Sequence, residues 1–441
     1  MTVGSLFSGI GGIDLGFQQA GFDIVWANEF DKDAAATYRH NFGSEHLVEK
    51  DIRKVDVSEI PDFDVLVAGF PCQPFSIMGF RKGFNDPRGN LFFEIARIAE
   101  AKKPKVIFLE NVANLLEHDD GKSFLTVYNA LAPQGYKLRY QLMDSIEYGN
   151  VPQHRTRIFI VAFQDEDACE RFKFPKKIEL TVKLNDILIR EQKHDDCYYY
   201  NNNSFHYDDL KRIVTDKRAL YKIYDSGVSS KAHYVSPTLT ANMGTFPDRV
   251  PIILDDYGIR KITPYECLAL QGFPKDFRFP KIPMASAYKQ CGNSVVVPVI
   301  RRIAEEIKKV LEKDRAFSEA IVKQKTELER KALELKAAIQ FCEELKNTEL
   351  DTLDVDECLN SMVRAGEDGF FKDWMKDYKH IIKENQDMDF TFIPDTPITN
   401  EREFTEALFA YANQVNLELV ITNESMYPEF TINGIFYLGL R

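Results

Sequence analysis

Cys72 stands where a nucleophile could be held. It lies in Phe70-Pro71-Cys72-Gln73-Pro74-Phe75-Ser76, directly after the apolar run Val65-Leu66-Val67-Ala68, which Asp64 and Gly69 flank. That run is too short for a helix and reads as a buried strand. The prolines end it and stiffen its exit. A thiol on a rigid loop at a strand's C-terminal end sits where open α/β sheets place their sites. As a thiolate it is a nucleophile. The plain alternative is a structural cysteine in a turn.

Two further kinds of group point to the same edge. The apolar run Val106-Ile107-Phe108-Leu109 ends at Glu110-Asn111-Val112, so Glu110 sits at another strand C-terminus, on the rim of Cys72. A cap on the following helix is its alternative role. Gln153-His154-Arg155-Thr156-Arg157 precedes the strand-like Ile158-Phe159-Ile160-Val161-Ala162. Arg155 and Arg157 alternate in strand register and so share a face. Two arginines beside a carboxylate can bind a base carbonyl or a phosphate. A surface salt bridge is the alternative.

The elements that must position these groups begin at the N-terminus. Thr2-Val3-Gly4-Ser5-Leu6-Phe7 reads as a strand that enters the turn Ser8-Gly9-Ile10-Gly11-Gly12 and a helix. Strand, glycine turn and helix form the first unit of a nucleotide-binding α/β domain. The turn lacks the spacing of a dinucleotide fingerprint and the lysine of a P-loop. A second strand, Ile24-Val25-Trp26-Ala27, delivers Asn28-Glu29-Phe30. Glu29 lies about 20 residues beyond the glycine turn, where such folds place a ribose-binding carboxylate. Asp51 follows and could receive an adenine amino group. Either acid could equally be a solvated loop carboxylate. Residues 79–89 are polar and glycine-punctuated, with Arg81, Lys82 and Arg88, and look like a lid.

Residues 176–284 change character. Tyr198-Tyr199-Tyr200-Asn201-Asn202-Asn203-Ser204 is polar and aromatic, and Thr238-Leu239-Thr240-Ala241-Asn242-Met243-Gly244-Thr245 is rich in hydroxyl, amide and glycine. Such loops suit base edges and phosphates, and equally suit solvent. No glycine or proline occurs from Val299 to Ala365, which predicts a long helix or helical hairpin. After Gly366 a small α/β piece is expected, with strands at 390–393, 417–421 and 435–438.

The totals set bounds. The 441 residues carry a net charge of -12, but 313–441 hold 26 acidic and 15 basic side chains, leaving 1–312 near neutral. The acidity therefore does not argue against a nucleic-acid partner for the first 312 residues. Seven dispersed cysteines imply neither a disulfide framework nor a zinc site, and they fit a reducing compartment. No membrane span or signal peptide is evident, so an intracellular, cytoplasmic location is expected.

In this order the motifs resemble the cytosine-5 DNA methyltransferases, most of all the bacterial restriction–modification enzymes. The matching residues are Phe7-Ser8-Gly9-Ile10-Gly11-Gly12, Asn28-Glu29, 69–76, Glu110-Asn111-Val112, 153–157, Arg260 with Thr263-Pro264, Glu266 and Leu270-Gln271-Gly272-Phe273-Pro274, and Gly292-Asn293-Ser294-Val295. They span residues 1–312. The resemblance implies a Rossmann-like, S-adenosylmethionine-dependent α/β methyltransferase domain of residues 1–175 plus 285–312. It further implies a smaller target-recognition domain at 176–284. Residues 313–441 form a mainly helical C-terminal extension outside the resemblance. That extension is expected to contact a protein partner or a second copy. Its Asn423-Glu424-Ser425-Met426-Tyr427-Pro428 is similar to the serine segment of LexA-like self-cleaving proteins, but no lysine follows it.

The resemblance also implies roles. Cys72 would attack C6 of a flipped-out cytosine in duplex DNA. Glu110 would hold N3 and the amino group, Arg155 would steady the base carbonyl, and Arg157 would support the site. S-adenosyl-L-methionine would lie against Phe7, Gly9, Gly11, Gly12, Glu29, Phe30, Asp51, Ile52, Pro71, Asn293, Ser294 and Val295. Gln73, Ser76, Arg81, Thr238 and Thr240 would contact DNA, with Thr238 at a phosphate. No metal is implied. Two other readings keep part of this pattern, namely a tRNA cytosine-5 methyltransferase and a DNA-binding regulator without turnover.

Overall fold

The computed structural model describes residues 1–70, 91–204, 206–224, 227–245 and 249–346, and beyond these residues 405, 409–410, 419–423, 429–432 and 435–438. Pro71, Cys72, Gln73, Ser76, Arg81 and the expected lid lie outside the described residues, as do 390–393 and 424–428.

Alternating strands and helices open the chain: β1 (Thr2–Leu6), α1 (Gly12–Gln19), β2 (Asp23–Asn28), α2 (Lys32–Phe42), β3 (Leu47–Val48) and β4 (Val65–Gly69). Then come α3 (Leu91–Lys102), β5 (Val106–Val112), α4 (Lys122–Leu131), β6 (Lys137–Asp144), α5 (Ser145–Gly149), β7 (Thr156–Phe163) and α6 (Glu166–Arg171). The seven strands form one sheet in the order β3-β2-β1-β4-β5-β7-β6. Pairing is parallel from β3 through β5, and β7 runs antiparallel to both its neighbours.

The apolar runs are continuous because both faces of the sheet are covered. Val65, Val67, Val106 and Phe108 share one buried cluster with Phe17 of α1. Leu66, Ala68, Ile107 and Leu109 share the other with Ile95 of α3 and Val127 of α4. This is the period-2 alternation of a strand. β6 was not legible as a strand, since it is a sheet edge with most of its residues exposed or half-buried.

Residues from 184 onward add α7 (Tyr207–Ile213), the hairpins β8 (Ile223–Tyr224) with β9 (Gly227–Val228) and β10 (Ile252–Leu254) with β11 (Ile259–Lys261), and then α8 (Pro264–Ala269) and α9 (Met284–Asn293). Leu184, Leu239, Ile253, Leu268, Tyr288 and Ile10 of the glycine turn share a third cluster. Helix α10 (Val297–Lys346) is the long helix expected. Its Val299, Ile300, Ile303 and Ile307 pack in the cluster of Phe17 and Val65, so the chain returns to the first domain.

Residues 1–325 form one compact unit and 326–441 a second. The second contains a three-stranded antiparallel sheet of β12 (Leu419–Asn423), β13 (Glu429–Ile432) and β14 (Ile435–Leu438). Among the described residues no helix is long and apolar enough to cross a membrane.

One buried ionic cluster holds the segment after β11. The Arg260 Nε donates to Asp255 at 2.7 Å, and its two terminal nitrogens donate to Glu266 at 2.7 and 2.8 Å, all with buried side chains. Glu266 also closes a capping box with Thr263 at the start of α8. Replacing Arg260 leaves two buried carboxylates without their cation. Arg260→Leu is expected to cost about 3–5 kcal/mol, read as a lowered denaturation midpoint; a loss under about 1 kcal/mol would contradict the cluster's role.

Candidate active site

Strand register brings the predicted groups to one rim. Leu6 lies opposite Ala68, and Gly69 lies opposite Glu110. Phe7, Phe70 and Glu110 therefore sit along a single edge. Because β7 runs the other way, its N-terminal end meets that edge, with Arg157 opposite Val112. Asn111 Nδ2 donates to the Phe70 carbonyl at 2.9 Å and fixes the point where the cysteine segment leaves the sheet.

A cavity of about 450 Å³ opens at the rim. Its wall includes Phe7, Gly9, Gly12, Glu29, Glu110, Arg155, Arg157, Asn293, Ser294 and Val295. The glycine turn, the acid after β2, the catalytic candidates and the C-terminal return thus face one space. The volume is that of a small-molecule site.

Glu110 is buried, and Arg157 Nε lies 3.2 Å from its Oε1. The approach is an ion-pair contact without hydrogen-bond alignment, so Oε1 has no hydrogen-bond partner among the described residues. Burial pushes the Glu110 carboxyl above its ordinary pKa, and Arg157 and then Arg155 oppose that rise. A carboxyl so placed can hold a proton against a base nitrogen.

The Arg155 guanidinium is bonded to main chain. Its Nη1 donates to the Leu239 carbonyl at 2.9 Å, and its Nη2 donates to the carbonyls of Gly292, at 3.1 Å, and Ser294. Those bonds commit the end of the guanidinium to main chain, so Arg157 is the arginine paired with Glu110. Desolvation, with the like charge of Arg157 adding to it, brings the Arg155 pKa down to about 9.

Glu29 accepts three main-chain N–H bonds, from Gly9 at 2.8 Å, Phe30 at 2.7 Å and Asp31 at 2.6 Å. It ties the end of β2 to the glycine turn. Burial raises its pKa, and the three donors work against that. Phe7 holds a left-handed backbone at φ 55° beside the turn, a conformation that costs energy and occurs at ligand sites. A Cβ on Gly12 would stand 2.7 Å from Ser294 Oγ, so only glycine lets the return segment come this close. Ser294 Oγ itself is buried with no hydrogen-bond partner among the described residues.

Four predicted cofactor residues lie off the cavity wall. Gly11 caps α1 and faces Phe42. Phe30 is exposed after β2. Ile52 is buried in the cluster of Trp26 and Leu66. Asp51 caps a short 3₁₀ turn and pairs with Arg53 at 2.5 Å. Thr238 Oγ1 donates to the His154 carbonyl at 2.6 Å, and Thr240 Oγ1 to Asn242 Oδ1 at 2.5 Å. Neither threonine lines the cavity.

Sequence reasoning missed Asp14. It is fully buried, accepts from Ser5 Oγ at 2.5 Å and Tyr38 OH at 2.7 Å, and connects through Ser5 to Ser8 on the cavity wall. An acid within the apolar Ile13-Asp14-Leu15-Gly16-Phe17 was the available signal. Burial raises its pKa to about 6, against the lowering effect of its two hydroxyl partners.

Residues 1–309 match the family described as C-5 cytosine-specific DNA methylase. The chain belongs to that family. The methylase is 49% identical over 313 residues to the Type II methyltransferase M.Bsp6I of Bacillus sp. (strain RFL6), covering 70% of this chain and 99% of that protein. It is 36% identical to the Type II methyltransferase M.HhaI of Haemophilus parahaemolyticus, covering 68% and 92%. Among solved structures the S. pombe Dnmt2 methyltransferase shares the fold, with TM-score 0.55, 22% identity and coverage of 70% and 99%. The methylase uses S-adenosylmethionine as methyl donor. The cavity wall suits that molecule, offering an aromatic ring, carboxylates for hydroxyl and cationic groups, and the free hydroxyl of Ser294.

The Asp14 pKa gives the methylase a pH signature. Its folded value lies above that of the unfolded chain, so folding binds a proton between the two. Asp14's share of stability is full below about pH 4 and is lost as pH rises through about 6, by about 3 kcal/mol. Asp14→Asn is expected to remove that part of the slope in urea unfolding at pH 4.5 against pH 7; an unchanged slope would contradict the buried-acid reading.

Proposed function

We propose that this protein is the modification enzyme of a restriction–modification pair, methylating C5 of cytosine at one short duplex sequence. The relatives named as Type II methyltransferases support that reading. The observation that carries the chemistry is the shared cavity, where the glycine turn and Glu29 face the same space as Glu110 and Arg157.

C5 of cytosine is a poor nucleophile within an aromatic ring. In this reading Cys72, two residues beyond Phe70 in sequence, adds its thiolate to C6. Glu110 in its protonated form donates to N3 and takes up the charge developing on the ring. Burial raises the Glu110 pKa and so favours that form. Arg157 holds Glu110 and meets the base carbonyl. Arg155 keeps the recognition segment and the cofactor return in place. When bound, S-adenosylmethionine supplies an electrophilic methyl group. Glu29 would hold the ribose hydroxyls, Phe7 the adenine, and Gly9, Gly12, Asn293, Ser294 and Val295 the remainder. Removal of the C5 proton then lets the Cys72 thiolate leave.

A stacked base cannot reach such a cavity, so the cytosine must flip out at a cost of a few kcal/mol. Gln73, Ser76, Arg81, Thr238 and Thr240 are assigned to the DNA that surrounds it. Residues 176–284 are assigned to target recognition, and 313–441 to contact with a partner or a second copy.

Labelled-methyl transfer to mixed-sequence duplex DNA, followed by bisulfite sequencing, tests the reading. Incorporation at one short motif, abolished in Cys72→Ser, is expected. No incorporation into DNA, or transfer to tRNA in its place, would overturn it. Glu110→Gln is expected to lower kcat by about 10²–10⁴-fold while leaving cofactor affinity unchanged. A variant with near-normal kcat would remove Glu110 from the chemistry.

A further inference from the structure

Gln153 is fully buried yet lies outside the cavity wall. Its Nε2 donates to the Leu270 carbonyl at 3.0 Å, and its Oε1 accepts from the Leu239 N–H at 3.2 Å. One partner can only accept and the other can only donate. The orientation of the amide is therefore fixed by its surroundings.

Gln153 lies in residues 1–175, whereas both partners lie in 176–284. Leu239 lies between Thr238 and Thr240 in the region assigned to DNA. Leu270 is the C-cap of α8. Main-chain bonds extend the same seam, with His154 N donating to the Ser236 carbonyl and Ser236 N to the Pro152 carbonyl, both at 2.7 Å. Thr238 Oγ1 adds the bond to the His154 carbonyl. The seam ends where a Cβ on Gly292 would stand 2.1 Å from the Thr240 carbonyl oxygen.

We propose that Gln153 is a positioning residue for methyl transfer, setting the 236–240 segment against the catalytic rim so that DNA engages in register with the cavity. This rests on the reading above that 176–284 bind DNA. The side-chain hydrogen bonds of Gln153 reach neither a cavity-lining residue nor Glu110. Its loss should therefore weaken DNA engagement and spare the cofactor. Arg155 differs, since it lines the cavity and its guanidinium holds the Ser294 carbonyl.

Two near-isosteric variants of the full chain test this. Gln153→Met removes both bonds. Gln153→Glu keeps an acceptor for Leu239 but sets a carboxylate oxygen against the Leu270 carbonyl. Both are compared with wild type by circular dichroism, by calorimetric titration with S-adenosylhomocysteine, by hydrogen exchange, and by steady-state methylation of the mapped site. The expected result is faster exchange across 236–241 and a KM for duplex DNA raised about tenfold. Cofactor affinity should stay within about twofold and kcat at saturating DNA within about threefold. Unchanged exchange in 236–241, an unchanged KM for DNA, or a loss of cofactor affinity equal to the loss on DNA would each overturn the proposal. Failure of the wild type to methylate any duplex would instead reject the functional reading, while the exchange data still decide whether Gln153 holds the segment.

Discussion

The guanidinium of Arg155 is the joint on which this molecule depends. It stands just before β7 and bonds three main-chain carbonyls, one at Leu239 and two at Gly292 and Ser294. Those acceptors lie 84, 137 and 139 positions away in sequence. One buried cation thus gathers the seven-stranded sheet, the segment around Leu239 and the end of α9. Removing a charge from water is costly, which is why the Arg155 pKa falls. Charge-assisted bonds to carbonyls, each worth about 1.5–3 kcal/mol, offset that cost.

The reversed strand explains why an arginine can reach this place. In an all-parallel sheet the start of a strand lies at the far edge from the strand ends that carry Phe7, Phe70 and Glu110. Turning β7 over carries its first residues to the functional rim. A carboxyl and two cations then share a buried space, and their mutual field counts for more than it would in water. The same rim receives the glycine turn, so that turn and Glu110 line one cavity.

Much of this arrangement was legible in the residues. Short apolar runs ending at Gly69 and Glu110 marked buried parallel strands, and the structure pairs those two residues directly. Glycines next to β1 marked the turn. What could not be read were choices of side-chain partner. Asp51 has the spacing of a cofactor ligand, and its pairing with Arg53, two residues on, is not visible in that spacing. Arg155 and Arg157 do share the cavity wall, as alternation requires. Which of them meets Glu110 depends on carbonyls supplied by distant segments, and no local pattern encodes that. β6 escaped notice because an edge strand need not alternate cleanly.

The proposed chemistry turns on Cys72 adding to a cytosine held beside Glu110. A duplex carrying 5-fluorocytosine at the mapped target position tests that addition most directly, because fluorine cannot leave C5 as a proton does. Incubation with S-adenosylmethionine should give a denaturation-stable, one-to-one protein–DNA adduct whose crosslinked peptide contains Cys72. Absence of an adduct from protein that methylates the unsubstituted duplex, or attachment through any other residue, would contradict the account.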